Sequence, residues 1–231
     1  MIDERQRNIL KTIVLEYIDS ADPVSSQSIE EKYDLGISSA TIRCEMKRLT
    51  DEKFLLQPHT SAGRIPTDKG YRFFVDKFLE EESEEDKFKI EQWLQEEIDS
   101  VRLISLITKN MASICCGLTL GYLPERNLLW REGWEDILKE PEFERSEYAS
   151  IFADFLKEVE NKIPQLEYQS EIKIYIGKNP FSKLEEFSVI SSNCFFPKNK
   201  KGILAIVGPK RMDYNKNLSL MNSILRTLEN Y

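Results

Sequence analysis

The sequence predicts an α+β chain in two parts, a small helical domain that ends in a strand–loop–strand and a larger mixed α/β domain. Three observations carry this. The order helix, helix, tight turn, helix, strand, loop, strand can be read from about Asp3 to Ile65, which is the pattern of a winged helix-turn-helix. Basic charge is concentrated in the same region: residues 38–72 hold seven Lys/Arg against four Asp/Glu, and the other 196 residues hold 25 against 36. Beyond residue 103, short β-type apolar runs are interspersed with amphipathic helical ones.

The first helix runs from Asp3 to Asp19. Asp3 and Gln6 have the spacing of a capping box, and Ile9, Leu10, Ile13, Val14 and Tyr17 or Ile18 form a buried stripe. Ala21-Asp22-Pro23-Val24 breaks it, and Ser25 or Ser26 caps a second short helix that carries Ile29 and ends at Tyr33. Leu35-Gly36-Ile37 makes a tight turn. Ser38 or Ser39 then caps a third helix, in which Ile42, Met46 and Leu49 fall on one face and Ala40, Arg43, Cys44, Lys47 and Arg48 on or near the other. Small residues at the start and long cations further along suit a helix entering a DNA major groove. A strand around Phe54-Leu55-Leu56, a turn-rich loop with Gly63 and two prolines, and a return at Arg64-Ile65 follow. Arg64 is expected near the loop tip, within reach of a phosphate or a minor groove. Asp68 starts another helix, packed through Tyr71, Phe73, Phe74 and Val75.

Residues 77–102 read as an acidic helical linker, with Glu80-Glu81-Glu82-Ser83-Glu84-Glu85-Asp86 followed by Ile90, Trp93, Leu94, Ile98 and Val101 at helical spacing. In the second domain, over 103–231, a helix with Leu106, Ile107 and Met111 leads to a strand near 117–122, and Asn127–Trp130 is a second strand. A helix covers about Ser146–Asn161. A half-buried strand lies at Glu171–Ile176 and another strand at Phe187–Ser191. Pro197–Gly202 is a loop, and the continuously apolar Ile203–Val207 suits a central strand. The chain closes on a helix from about Tyr214 that Asp213 caps, with Arg211 and Asp213 placed to form an ion pair.

Composition excludes several functions. With 41% apolar residues, 231 residues can build real cores. The net charge of −8 argues against a general nucleic-acid binder, and local basic charge is what a protein with one DNA-facing surface needs. Cys44, Cys115, Cys116 and Cys194 lack zinc-ligand spacing and His59 has no partner histidine, so no metal and no cofactor are expected. This cysteine usage fits a reducing cytosol. Met1–Arg5 lacks a signal-peptide core, and no apolar run reaches membrane length, so a cytoplasmic chain without a membrane partner is expected. Gly208-Pro209-Lys210-Arg211 lacks the phosphate-loop pattern, and no nucleophile with a base appears, so no enzyme is expected.

Glu4-Arg5-Gln6, Pro23-Val24-Ser25-Ser26, Leu35 through Arg43, and the long run Gln57 through Arg72 closely resemble the N-terminal domain of the heat-inducible transcription repressor family, HrcA. Asn127-Leu128-Leu129, Pro141-Glu142-Phe143, Ser188-Val189-Ile190 and Gly208 through Tyr214 resemble blocks of that family's second domain. The resemblance implies a winged-helix DNA-binding domain over 1–76 and a reduced GAF-like α/β domain over 103–231. It further implies a homodimeric repressor that binds double-stranded DNA at an inverted-repeat operator ahead of chaperone genes (the groEL/groES and dnaK systems). The groEL chaperonin would promote the active form, and heat would release the DNA. Two departures stand out. The chain is shorter than the family norm by roughly a hundred residues, enough for a domain, with the shortening expected between Tyr122 and Asn127. Cys44 stands where the family commonly has Asn, and a thiol cannot hold an adenine edge through two hydrogen bonds.

The residues expected at DNA are therefore Ser38 at the start of the third helix, Ser39, Thr41 and Cys44 near base edges or sugars, Arg43 and Lys47 on bases or phosphates, and Arg48 on phosphate, with His59, Thr60, Ser61 and Arg64 in the wing. Two other readings compete: a ligand-gated regulator of a different regulon, and an interaction module that no longer reads DNA. A polar pocket in the α/β domain would favour the first. Retained Arg43, Lys47, Arg48 and Arg64 argue against the second.

Overall fold

The computed structural model describes residues 2–79, 99–115, 117–166, 171–197 and 199–230. The chain divides into two units, Met1–Leu79 and Glu80–Tyr231. The acidic run, most of the expected linker and Cys116 lie outside the described residues. The linker's expected ends belong to helices, one ending at Phe78 and one beginning at Ser100.

In the first unit, α1 spans Glu4–Ser20. Its start is a reciprocal cap: Asp3 Oδ1 accepts from the Gln6 N–H at 2.8 Å and Gln6 Oε1 accepts from the Asp3 N–H at 3.1 Å. Ala21 ends the helix in a left-handed conformation, φ 58°. Ser25 caps α2, Ser26–Lys32, whose Ile29 is fully buried. At its far end, Tyr33 donates to Glu16 Oε2 at 3.0 Å and Lys32 pairs with Glu16 Oε1, tying α2 to α1. Next comes α3, Ser39–Asp51. β1, Leu55–Leu56, and β2, Ile65–Pro66, pair antiparallel with Leu55 opposite Pro66. Thr67 caps α4, Asp68–Phe78, and also donates its hydroxyl to the Lys53 carbonyl at 2.7 Å, so the cap closes the hairpin as well. Ile9, Leu10, Ile13, Ile42, Leu49, Tyr71 and Phe74 make the core of this unit.

The second unit opens with α5, Ser100–Cys115. β3, Leu118–Leu123, turns back into β4, Leu128–Glu132, through Pro124–Arg126 and a left-handed Asn127, whose Oδ1 accepts from the Tyr122 hydroxyl at 3.0 Å. The short α6, Trp134–Ile137, and α7, Ser146–Lys162, follow. β5 is Lys173–Ile176, β6 Phe187–Phe196, β7 Lys200–Pro209, and α8 Tyr214–Glu229. Among the described residues the strands form one antiparallel sheet in the order β4-β3-β7-β6-β5. The apolar run Ile203–Val207 thus lies in the central strand, as its lack of alternation requires, because both faces of the sheet are covered. Leu118, Leu120, Ile203, Ala205, Val207, Phe187 and Val189 pack against Phe152, Phe155 and Val159 of α7. The opposite face takes α5 and α8. Gly121 allows the close approach of α5, since a Cβ there would lie 2.2 Å from Thr108 Oγ1.

Two expectations need correction. The loop expected over Pro197–Gly202 is shorter: β7 starts at Lys200, paired with Phe196, and Asn199 at φ 57° makes the turn. The polar composition there marks the solvent-facing end of a hairpin. Arg211 does not pair with Asp213. Its guanidinium lies across Glu142, with Nε at 2.6 Å and Nη2 at 2.9 Å, and also pairs with Glu140. Asp213 caps α8, accepting from the Lys216 N–H at 3.0 Å. None of the described helices is long and apolar enough to cross a membrane.

Candidate nucleic-acid interface

Ser38 sits at the N-cap of α3, its Oγ accepting from the Thr41 N–H at 3.4 Å and lying 3.2 Å from Thr41 Oγ1. Ile42, Met46 and Leu49 are buried on one side of this helix. Ala40, Arg43, Cys44, Lys47 and Arg48 are exposed on the other, and Ser39 and Thr41 are half-buried at its start. The exposed stripe therefore carries small residues at the N-terminal end and three cations beyond them.

The β1–β2 loop stands beside this stripe. Gln57 organises it: its Nε2 donates to the Thr60 carbonyl at 2.9 Å and the Ala62 carbonyl at 3.0 Å. His59, Thr60 and Ser61 are exposed, and His59 Nδ1 lies 3.3 Å from Ser61 Oγ. Gly63 passes so close to the segment before α2 that a Cβ would lie 2.3 Å from the Val24 carbonyl oxygen. Val24 and Arg64 exchange both backbone hydrogen bonds, at 2.9 and 2.8 Å.

Arg64 is at the base of the loop and half-buried. Its Nε donates to Thr50 Oγ1 at 3.1 Å, and Nη1 reaches the Gly63 carbonyl at 3.3 Å. In this position it fixes the loop to the end of α3. Arg43, Thr60, Ser61 and Arg64 are brought together with Ser25, Ser26, Gln27 and Gln57 around a groove of about 380 Å³. Arg48 stands apart from it, on the side of α3 that faces the first turn of α1.

Four residues beside this face were not among those expected at DNA: Gln27, Gln57, and Glu45 with Arg5, the last two 3.8 Å apart and joined to Arg48. For Gln27 and Gln57 no local signal exists, because their roles depend on neighbours that folding supplies. Glu45 had one. It occupies the 42-45-46-49 stripe, where a carboxylate is out of place, and it is 3% exposed. Among the described residues no cluster of three His, Cys, Asp or Glu side chains is placed to hold a metal ion.

The family model described as "HrcA protein C terminal domain" matches residues 72–218. The chain belongs to the HrcA family. It is similar to a heat-inducible transcription repressor HrcA of Clostridium botulinum (strain Eklund 17B / Type B), at 26% identity over 99% of this chain and 97% of the relative. That alignment has 334 positions against 231 residues here, so the relative carries positions for which this chain has no residue. Similarity is higher over shorter stretches: the HrcA of Carboxydothermus hydrogenoformans is 53% identical over 44% of this chain and 30% of the relative. A crystal structure described as a hypothetical protein superposes with a TM-score of 0.75 at 22% identity, covering 100% of this chain and 98% of that one. It supports the fold alone.

Proposed function

We propose that this HrcA-family chain is a DNA-binding transcriptional repressor of heat-shock chaperone genes. On this reading, residues 1–76 are a winged helix-turn-helix, 77–102 an acidic linker, and 103–231 a reduced GAF-like domain. The observation that carries the reading is the exposed Ala40–Arg43–Cys44–Lys47–Arg48 stripe of α3 beside the β1–β2 loop. Its small N-terminal residues let the helix enter a major groove, and its cations meet guanine edges and phosphates. Ser39, Thr41 and Cys44 face bases or sugars, Arg43 and Lys47 bases or phosphates, Arg48 a phosphate, and His59, Thr60 and Ser61 the flanking strand. Arg64 acts by holding the wing on Thr50.

The operator is an inverted repeat ahead of the groEL/groES and dnaK genes. A cytoplasmic homodimer places two copies of α3 in successive major grooves and blocks polymerase. The groEL chaperonin promotes the active form and heat releases the DNA. No reaction is catalysed. The competing ligand-gated reading needs a polar pocket in the α/β unit; one recess among its described residues, beside Tyr175, Ser191 and Asn193, has about 20 Å³, room for one water.

The test is a gel-shift titration of wild type and Arg43→Ala against the inverted repeat and a scrambled duplex, with and without chaperonin. Tight binding to the repeat, weakened by about 1–3 kcal/mol in the variant, supports the reading. Equal weak binding to both duplexes overturns it.

A further inference from the structure

We infer that Glu45 is a positioning residue for DNA binding, holding Arg5 and Arg48 together as a clamp for one backbone phosphate. The inference rests on the reading of α3 as the helix that meets DNA.

Glu45 lies in the buried stripe of α3, among Ile42, Met46 and Leu49, and its side chain is 4% exposed. An apolar side chain would fill that place without the desolvation cost of a carboxylate. The two carboxylate oxygens have separate tasks. Oε2 faces inward and accepts from Gln6 Nε2 at 3.0 Å, a buried hydrogen bond. Gln6 is itself fixed through the reciprocal cap with Asp3. Oε1 faces outward, 3.0 Å from Arg48 Nη1 and 3.8 Å from Arg5 Nη1. Both arginines approach one oxygen atom, yet their side chains are 59% and 56% exposed.

One negative charge therefore holds two positive ones, and the site keeps an excess of +1 at the rim of the proposed DNA face. Each guanidinium has five N–H donors in a rigid fork, and Glu45 approaches one nitrogen of each. The remaining donors suit phosphate oxygens, which accept from arginine in pairs. Anchoring on Glu45 reduces the side-chain freedom that each arginine would otherwise lose on binding. Arg5 is thus a phosphate contact from α1, and Glu45 acts through the two arginines without touching DNA.

The test is the salt dependence of binding to the inverted-repeat and scrambled duplexes, between about 50 and 200 mM salt, for wild type, Arg5→Ala, Arg5→Lys, Glu45→Gln, the double variant Arg5→Ala/Glu45→Gln, and Arg43→Ala. Arg5→Ala is expected to weaken both duplexes alike and to lower the slope of log K against log salt by about 0.9, and Arg5→Lys to retain the slope. Glu45→Gln removes a negative charge from beside a polyanion, so simple electrostatics predicts tighter binding. The clamp predicts several-fold weaker binding, and a smaller effect of Arg5→Ala in that background. Thermal melts check folding, and if Glu45→Gln is unfolded the Arg5→Ala slope decides. An unchanged slope in Arg5→Ala, or equal or tighter binding by a folded Glu45→Gln, overturns the clamp. If wild type binds and Arg43→Ala weakens it while Arg5→Ala and Glu45→Gln match wild type, the clamp alone falls. If wild type binds neither duplex, the DNA reading fails and the clamp fails with it.

Discussion

Arg211 and Glu142 meet fork to fork: Nε donates to Oε1 at 2.6 Å and Nη2 to Oε2 at 2.9 Å, although 69 residues separate them. Glu140 takes a further position on the same guanidinium. The arginine side chain is 8% exposed and the two glutamates about a quarter exposed. Burial opposes the charge on Arg211, and the glutamates outweigh it, so its pKa is raised. The pair joins the turn before α8 to the segment before α7.

Arg211→Ala leaves two carboxylates facing each other without a cation. We expect a loss of about 2 kcal/mol, below the 3–5 kcal/mol of a fully buried pair because the glutamates keep some solvent. Arg211→Lys retains the charge but cannot span both oxygens of Glu142, so it should recover only part of the loss. Urea unfolding followed by tryptophan fluorescence reads this directly, since Trp130 and Trp134 lie in the same unit. Full stability in Arg211→Ala would show that the pair is a surface ornament.

Gly63→Ala puts a methyl group where the Val24 carbonyl oxygen lies 2.3 Å away and the Pro23 carbonyl oxygen 2.6 Å away. Backbone must move, at a cost of about 1–3 kcal/mol, and the Val24–Arg64 bridge is the contact that gives. Hydrogen exchange is the suitable readout. The Val24 and Arg64 amides should exchange faster, while amides in α8 are unchanged.

What was readable in the sequence was set by local period. Ile42, Met46 and Leu49 repeat at helical spacing, and Ile203–Val207 has no alternation because helices cover both faces of the sheet around β7. Caps such as Asp3, Ser38 and Asp213 have partners three residues away, so their chemistry shows in a short window. Partners distant in sequence did not show. Arg64 was expected at a loop tip because nothing nearby indicates that Thr50 and Val24 wait for it. Arg211 was assigned to the nearest acid, Asp213, and its true partners come from before α7. Glu45 sits in the apolar stripe of α3, a local sign that it is not a free surface charge, but its partners Gln6 and Arg5 come from α1 and cannot be read there.

Cysteine reactivity should divide by environment. Cys44 is exposed on α3, and Cys115 and Cys194 are buried. Burial pushes the Cys194 thiol well above its ordinary range, so it carries no thiolate to react. Brief alkylation of the native protein, mapped by mass spectrometry, should label Cys44 and leave Cys115 and Cys194 unlabelled until denaturant is added. On the proposed function, a bulky label on Cys44 should also block operator binding. Early labelling of Cys194 would contradict its burial in β6.

Acid should loosen the first unit through Glu16. The Lys32 hydrogen bond holds the Glu16 carboxyl below its ordinary value of 4.5, the Tyr33 hydroxyl adds to this, and burial works against both. A carboxyl with a depressed folded-state pKa contributes stability that is fully present above the unfolded value and is lost as pH falls through the folded one. Glu16→Gln should therefore be less stable than wild type at neutral pH, and the difference should shrink once the pH drops below about 4.5. Lys32 is raised by the same contact, chiefly the Glu16 hydrogen bond, so its share lasts through neutral pH and is lost only as alkali takes the pH above 10.5. The measurement is the urea midpoint by circular dichroism, wild type against Glu16→Gln, from acid to neutral pH. A gap that stays constant across that range would show that Glu16 holds α2 to α1 by packing and not by charge.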